Sequence, residues 1–152
     1  MGFVNGRDMV VVTDSVFAQN ASKQSFVVNE YITRRGIKNV HFKTASNDCF
    51  YDEKTGLRRL KNAFFFNDDK IFVADKPLEH QAETTLECDC LIIRNSYYGN
   101  PADYLTQFQC NATVIIDGSN SKKMQERWRI AQDSIDIPVY FLSDKGAWVK
   151  QY

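Results

Sequence analysis

Met9-Val10-Val11-Val12-Thr13 is an unbroken apolar run close to the start of the chain. A strand with one wet face alternates apolar and polar residues, so an unbroken run marks a strand covered on both faces. Further short apolar runs follow at Cys90-Leu91-Ile92-Ile93 and Thr113-Val114-Ile115-Ile116. Covering such strands takes helices laid on a sheet, which points to a layered α/β architecture.

Helical spacing appears between the runs. A helix is expected to start at Ser22 or Ser25, with the Ser as N-cap, and to place Phe26, Val27, Tyr31 and Ile32 on one stripe. It ends with Arg34 and Arg35 beside the negative end of the helix dipole and Gly36 as terminator. A second helix is expected over residues 101–108, with Pro101 in its first turn, where the missing N–H costs nothing. The clearest one spans residues 122–134, because Met124, Trp128, Ala131 and Ile135 form one apolar stripe before Pro138 blocks extension.

The remaining strands are shorter. Residues 39–43 read as a strand followed by a polar loop through Asp48. Residues 63–66 and 70–74 read as a hairpin joined by Asn67-Asp68-Asp69. The tail reads as two strands, Val139-Tyr140-Phe141 and Ala147-Trp148-Val149, with Ser143-Asp144-Lys145-Gly146 as the turn between them. Near the start, Asn5-Gly6 is the strongest short signal for a type I′ turn, yet only a stub of strand, Phe3-Val4, precedes it. The chain therefore reads as cut from a longer protein, with Met1-Gly2 as an added remnant or else a frayed native end. The expected fold is one α/β domain with a mixed β-sheet flanked by helices.

Composition removes several function classes. Hydrophobic residues make up 43% of the 152 residues, enough for a core without metal or disulfide staples. Lys plus Arg total 19 and Asp plus Glu total 19, so no global field draws the chain to DNA or an acidic membrane. No apolar run approaches the roughly 18 to 20 residues that span a bilayer, and the basic and apolar blocks of a signal peptide are missing. Cys49, Cys88, Cys90 and Cys110 make no CxxC pair and no zinc spacing. On a regular strand Cys88 and Cys90 would point the same way and serve as small buried residues.

Several segments match a known pattern in order. Val10-Val11-Val12-Thr13-Asp14 is a buried strand ending in Asp, and Gly36-Ile37 leads from a helix into the strand that reaches Phe42. Ile71-Phe72-Val73-Ala74-Asp75 and Asp89-Cys90-Leu91-Ile92-Ile93 follow, the latter running to Tyr97-Tyr98-Gly99. The tail adds Val114-Ile115-Ile116-Asp117, Gly118-Ser119-Asn120, a helix, Asp136-Ile137-Pro138-Val139 and Gly146-Ala147-Trp148-Val149. This order resembles the metallo-β-lactamase-like domain that closes ComEC-type competence proteins, in the shortened form of some Gram-negative members. The resemblance implies a soluble domain of an inner-membrane DNA-uptake protein, on the periplasmic side, with a truncated metallo-β-lactamase fold. It also shows departures, since Ala74 stands for the family's Gly, and Tyr97 and Tyr98 stand where the family has two histidines.

The catalytic apparatus of that class is missing from the sequence. A binuclear site needs several neutral imidazoles and a bridging carboxylate to hold the ions and leave a place for water. The loop where the family's His-x-His-x-Asp-His cluster belongs reads Thr44-Ala45-Ser46-Asn47-Asp48-Cys49, and the chain has two histidines in all, His41 and His80. Asp14, Asp48, Asp75 and Asp117 lie near strand ends, where α/β folds build sites and where Asp also caps free amides. Asp117-Gly118-Ser119-Asn120-Ser121-Lys122-Lys123 enters a helix and could hold a phosphate, or simply cap it. Tyr97-Tyr98-Gly99-Asn100 could stack on bases or pack half-buried.

The expected function is a non-catalytic accessory domain, with no catalytic, cofactor-binding or metal-binding residues and no tightly bound small molecule. Its expected partners are the rest of the parent membrane protein and, more remotely, single-stranded DNA. A Rossmann-like or receiver-like module for a phosphate-bearing ligand is the alternative, and a carboxylate-only Mg²⁺ phosphoesterase ranks last.

Overall fold

The computed structural model describes residues 1–75, 85–95 and 100–151, and within these leaves the side chains of residues 25–28 undescribed. Backbone contacts divide the chain into two units, residues 1–68 and residues 69–152.

In the first unit β1 (Gly2–Asn5) pairs antiparallel with β2 (Asp8–Thr13), and β2 pairs parallel with β3 (Asn39–Thr44), giving a mixed sheet with β2 in the middle. The central strand is the unbroken apolar run, and Met9, Val10, Val11 and Val12 are all buried. Asn5 faces Asp8 across a turn of Gly6 and Arg7, with Gly6 at φ 58°. The turn signal was therefore sound but sits one residue later than expected, because Asn5 is the last strand residue. β1 is also longer than a stub. Its pairing extends to Met1, whose carbonyl accepts the Val12 N–H at 2.7 Å.

Asp14 ends β2 and caps a short helix, α1 (Ser15–Ala18), by accepting the Phe17 N–H at 2.8 Å. The next helix, α2 (Ala21–Arg35), starts earlier than Ser22 or Ser25. Its N-cap is Asn20, whose side-chain oxygen accepts the Lys23 N–H at 3.0 Å. Asn serves this position as well as Ser does, and the end of α1 places it there. Gly36 closes the helix in the left-handed conformation at φ 64°. Tyr31 and Ile32 of α2, with Phe17, pack on the cluster of Met9, Val11 and Ile37, so helices cover one face of this sheet.

Three strands follow as an antiparallel meander, β4 (Cys49–Tyr51), β5 (Arg58–Leu60) and β6 (Ala63–Phe66). β6 is the first strand of the expected hairpin, whereas β4 and β5 lie between the polar loop and that hairpin, where no strand was expected. Phe3 of β1 stacks on Phe64 at 5.8 Å and tilts against Phe66 at 5.3 Å, which joins the meander to the first sheet within this unit.

The second unit holds four parallel strands in the order β10-β9-β8-β7, namely β7 (Asp69–Ala74), β8 (Leu86–Ile93), β9 (Phe108–Ile116) and β10 (Val139–Phe141). Helix α3 (Pro101–Gln107) links β8 to β9, and α4 (Lys122–Gln132) links β9 to β10. Tyr104 of α3 and Met124 and Trp128 of α4 pack on Leu91, Ile93, Val114 and Ile116, and Trp128 has no exposed surface. A register shift between Cys88 and Cys90 breaks the regular alternation of β8. Cys88 joins the core cluster under the helices and Cys90 is buried outside it, so the two do not share a face as a regular strand would require.

The tail departs from expectation. Residues 147–149 form no strand, and Leu142–Lys145 is a helical turn, α5. Arg129 of α4 grips the Asp144 carboxylate at 2.9 Å through both oxygens, and Ser143 donates to Gln125 Oε1 at 2.7 Å. The Tyr140 hydroxyl donates to the Lys145 and Ala147 carbonyls at 3.2 and 3.3 Å. Side chains thus take the bonds that a terminal strand would have given to a neighbour. Among the described residues no helix is long and apolar enough to cross a membrane.

Candidate functional site

The loop after β3, where the resemblance puts the ligand cluster, is held by Arg59. Burial on alternate positions of β5 turns Arg59 inward while Arg58 and Leu60 stay exposed. Its Nη1 donates to the Ala45 and Asn47 carbonyls at 2.8 Å each, its Nε donates to the Lys61 carbonyl at 2.8 Å, and the guanidinium lies 5.1 Å from the Phe64 ring centre. A fixed cation therefore sits against the carbonyls of this loop. The main chain is organised around a positive charge, and Asp48 is exposed.

Next to this loop Asp52 is buried and accepts the Thr55 N–H at 3.0 Å and the Thr55 hydroxyl at 2.8 Å. Burial raises its pKa, but the two bonds outweigh that and leave the carboxyl below its ordinary value. His41, on β3, has a buried Nε2 with no hydrogen-bond partner among the described residues. His80 lies outside the described residues, as do Tyr97, Tyr98 and Gly99. Asp14 caps α1, and the Phe17 amide holds its carboxyl below the usual range.

In the second unit the C-terminal ends of the parallel strands bring together Asp75, Arg94 and Asp117. The Arg94 amide donates to the Ala74 carbonyl at 2.9 Å and the Asp117 amide to the Ile93 carbonyl at 3.0 Å. Arg94 Nε lies 3.6 Å from an Asp117 carboxylate oxygen, an ion pair too long for a hydrogen bond. The following loop is closed on itself. Asn120 is buried and donates to the Ile93 and Asp117 carbonyls at 2.7 and 2.8 Å, and Gln125 donates to the Asn120 carbonyl at 2.8 Å.

That closure bears on the phosphate reading. Asp117 Oδ1 accepts the Ser119 N–H at 2.7 Å, and Ser121 Oγ accepts the Met124 N–H at 3.3 Å. A carboxylate and a hydroxyl fill positions that an incoming anion would need, and Asp117 repels it. The stretch from Asp117 to Lys123 therefore works as a capped helix start.

The described residues do not fit a binuclear metal centre. Among them, no three His, Cys, Asp or Glu side chains come together in a way that could hold an ion. The sequence placed Asn120 in this loop without its closing role, and it gave no sign of Arg59. The residue order Leu57-Arg58-Arg59-Leu60 does not alternate apolar with polar, so only the burial pattern of β5 tells the inward Arg from the outward one. Missed too was a cross-strand row on the exposed face of the meander, where Tyr51, Arg58 and Phe65 stand side by side, with Arg58 5.4 Å from the Tyr51 ring centre.

Parallel strands under helices define a layered α/β domain. The chain belongs to the ComEC C-terminal domain family, whose profile matches residues 1–152. No curated protein and no solved structure matches it.

Proposed function

We propose that the chain is a non-catalytic accessory domain of a ComEC-type DNA-uptake membrane protein, which keeps a metallo-β-lactamase-like scaffold as a folding and docking unit without its metal ligands. The observation that carries this reading is Arg59, bonded at 2.8 Å to the carbonyls of the imidazole-free loop. A guanidinium there repels a divalent cation and already uses the oxygens that would have to turn toward it. In this reading the domain lies on the periplasmic side, and its main partner is the rest of the parent protein.

Contact with single-stranded DNA belongs to the same reading. The row of Tyr51, Arg58 and Phe65 supports it, because exposed aromatic faces beside a guanidinium stack on bases of any sequence. The test is metal analysis of the purified domain together with a nuclease assay on single- and double-stranded DNA. The expected result is no stoichiometric metal and no cleavage. Stoichiometric zinc or manganese with DNA cleavage overturns the proposal.

A further inference from the structure

We propose that Cys88 and Cys110 form a redox-active dithiol, a modification site that closes to an intramolecular disulfide by exchange with an external disulfide. The inference goes beyond the function proposed above and does not depend on it. The two residues are register partners on the adjacent parallel strands β8 and β9. Neighbouring strands lie about 4.7–4.9 Å apart, inside the roughly 4.4–6.8 Å between Cα atoms that a disulfide bridges. Both side chains also point to the same face, into the cluster under α3 and α4, at 2% and 5% exposure.

The register shift selects this pair among the three buried cysteines. From Cys88↔Cys110 to Cys90↔Thr113 one strand advances further than the other, which leaves Cys90 outside the cluster. The distorted backbone also closes around one sulfur. As a thiol, Cys110 donates to the Thr113 carbonyl at 3.1 Å. The bond from the Cys88 thiol, against the cost of burial and helped by the amides of Ala112, Thr113 and Leu91, lowers Cys110 to about 6. The same bond, with burial, pushes Cys88 up, and burial pushes Cys90 up to about 12. Cys110 is thus the nucleophile, Cys88 the resolving thiol and Cys90 a bystander.

The exchange balances in two steps. The Cys110 thiolate attacks one sulfur of the external disulfide, forming a mixed disulfide and releasing one thiolate. The Cys88 thiol then attacks Cys110 Sγ, its proton passes to the departing second sulfur, and the external disulfide ends as one thiolate and one thiol. Both thiols are buried, so the reaction proceeds while the chain folds or when the exposed N-terminal end of β8 at Leu86 and Glu87 opens.

The test uses the full chain with Cys49→Ser, which removes the exposed thiol. The protein is refolded in a mixture of reduced and oxidised glutathione, trapped with an alkylating agent and mapped by peptide mass spectrometry. The expected product is a cross-linked peptide joining Cys88 to Cys110, retained in Cys90→Ser and opened by dithiothreitol. Recovery of Cys88 and Cys110 fully alkylated, a stable glutathione adduct without ring closure, or a cross-link through Cys90 overturns the proposal. The mapping needs no substitution at the pair itself, so a folding defect in Cys88→Ser or Cys110→Ser leaves it decisive.

Discussion

Arg59 and Asp52 show how much of this domain rests on single buried polar groups. Arg59 donates to three main-chain carbonyls at 2.8 Å, so Arg59→Met leaves those carbonyls without a partner. The expected loss is about 2–4 kcal/mol, read as a lower urea midpoint at unchanged slope. Arg59→Lys recovers only part of it, because an ammonium lacks the planar fork that reaches all three. Asp52 sets a pH dependence. Its folded pKa lies below its unfolded value, so its contribution is present above the unfolded pKa of about 3.9 and is lost as pH falls through the folded one. Asp52→Asn is expected to flatten the fall in stability below about pH 4, measured as urea midpoints across that range. Neither residue was legible in the sequence, since a buried Arg and an exposed one look alike without the pairing that turns one of them inward.

Elements with long patterns were readable and short ones were not. The unbroken run at Val10, Val11 and Val12 identified β2 by its continuity, and the stripe of Met124 and Trp128 identified α4 by its helical period. Strands β4 and β5 have three residues each and exist by virtue of their neighbours, so no period betrays them. The tail failed for a related reason, since Arg129 and Asp144 are distant in sequence and their pairing decides for a helical turn. The start of α2 is a cap effect, and Asn20→Ala is expected to cost about 1 kcal/mol in thermal or urea unfolding, whereas Ser22→Ala is expected to change little. The meander carries the DNA prediction. Tyr51→Ala or Phe65→Ala should each weaken binding of a labelled single-stranded oligonucleotide by about 5- to 150-fold in fluorescence anisotropy, from roughly 1–3 kcal/mol per lost stack. Unchanged affinity in both variants would remove DNA contact from this face.

At the scale of the whole molecule, the sequence carried the family and the shortage of imidazoles, and the structure adds what stands in their place. Asp14 and Asp48 belong to the first unit and Asp75 and Asp117 to the second. Within its own unit Asp14 caps a helix and Asp117 faces Arg94 while closing its own loop. Two of the four strand-end carboxylates, Asp14 and Asp117, therefore have local duties of their own. The central claim, that this scaffold grips no catalytic cation, is tested most directly by the thermal midpoint of the purified domain in EDTA and in excess manganese, an ion that thiols bind weakly. The account predicts the same midpoint in both. A site filled at 100 times its dissociation constant would add about 2.7 kcal/mol, so a rise of about 5–10 °C in manganese would contradict it.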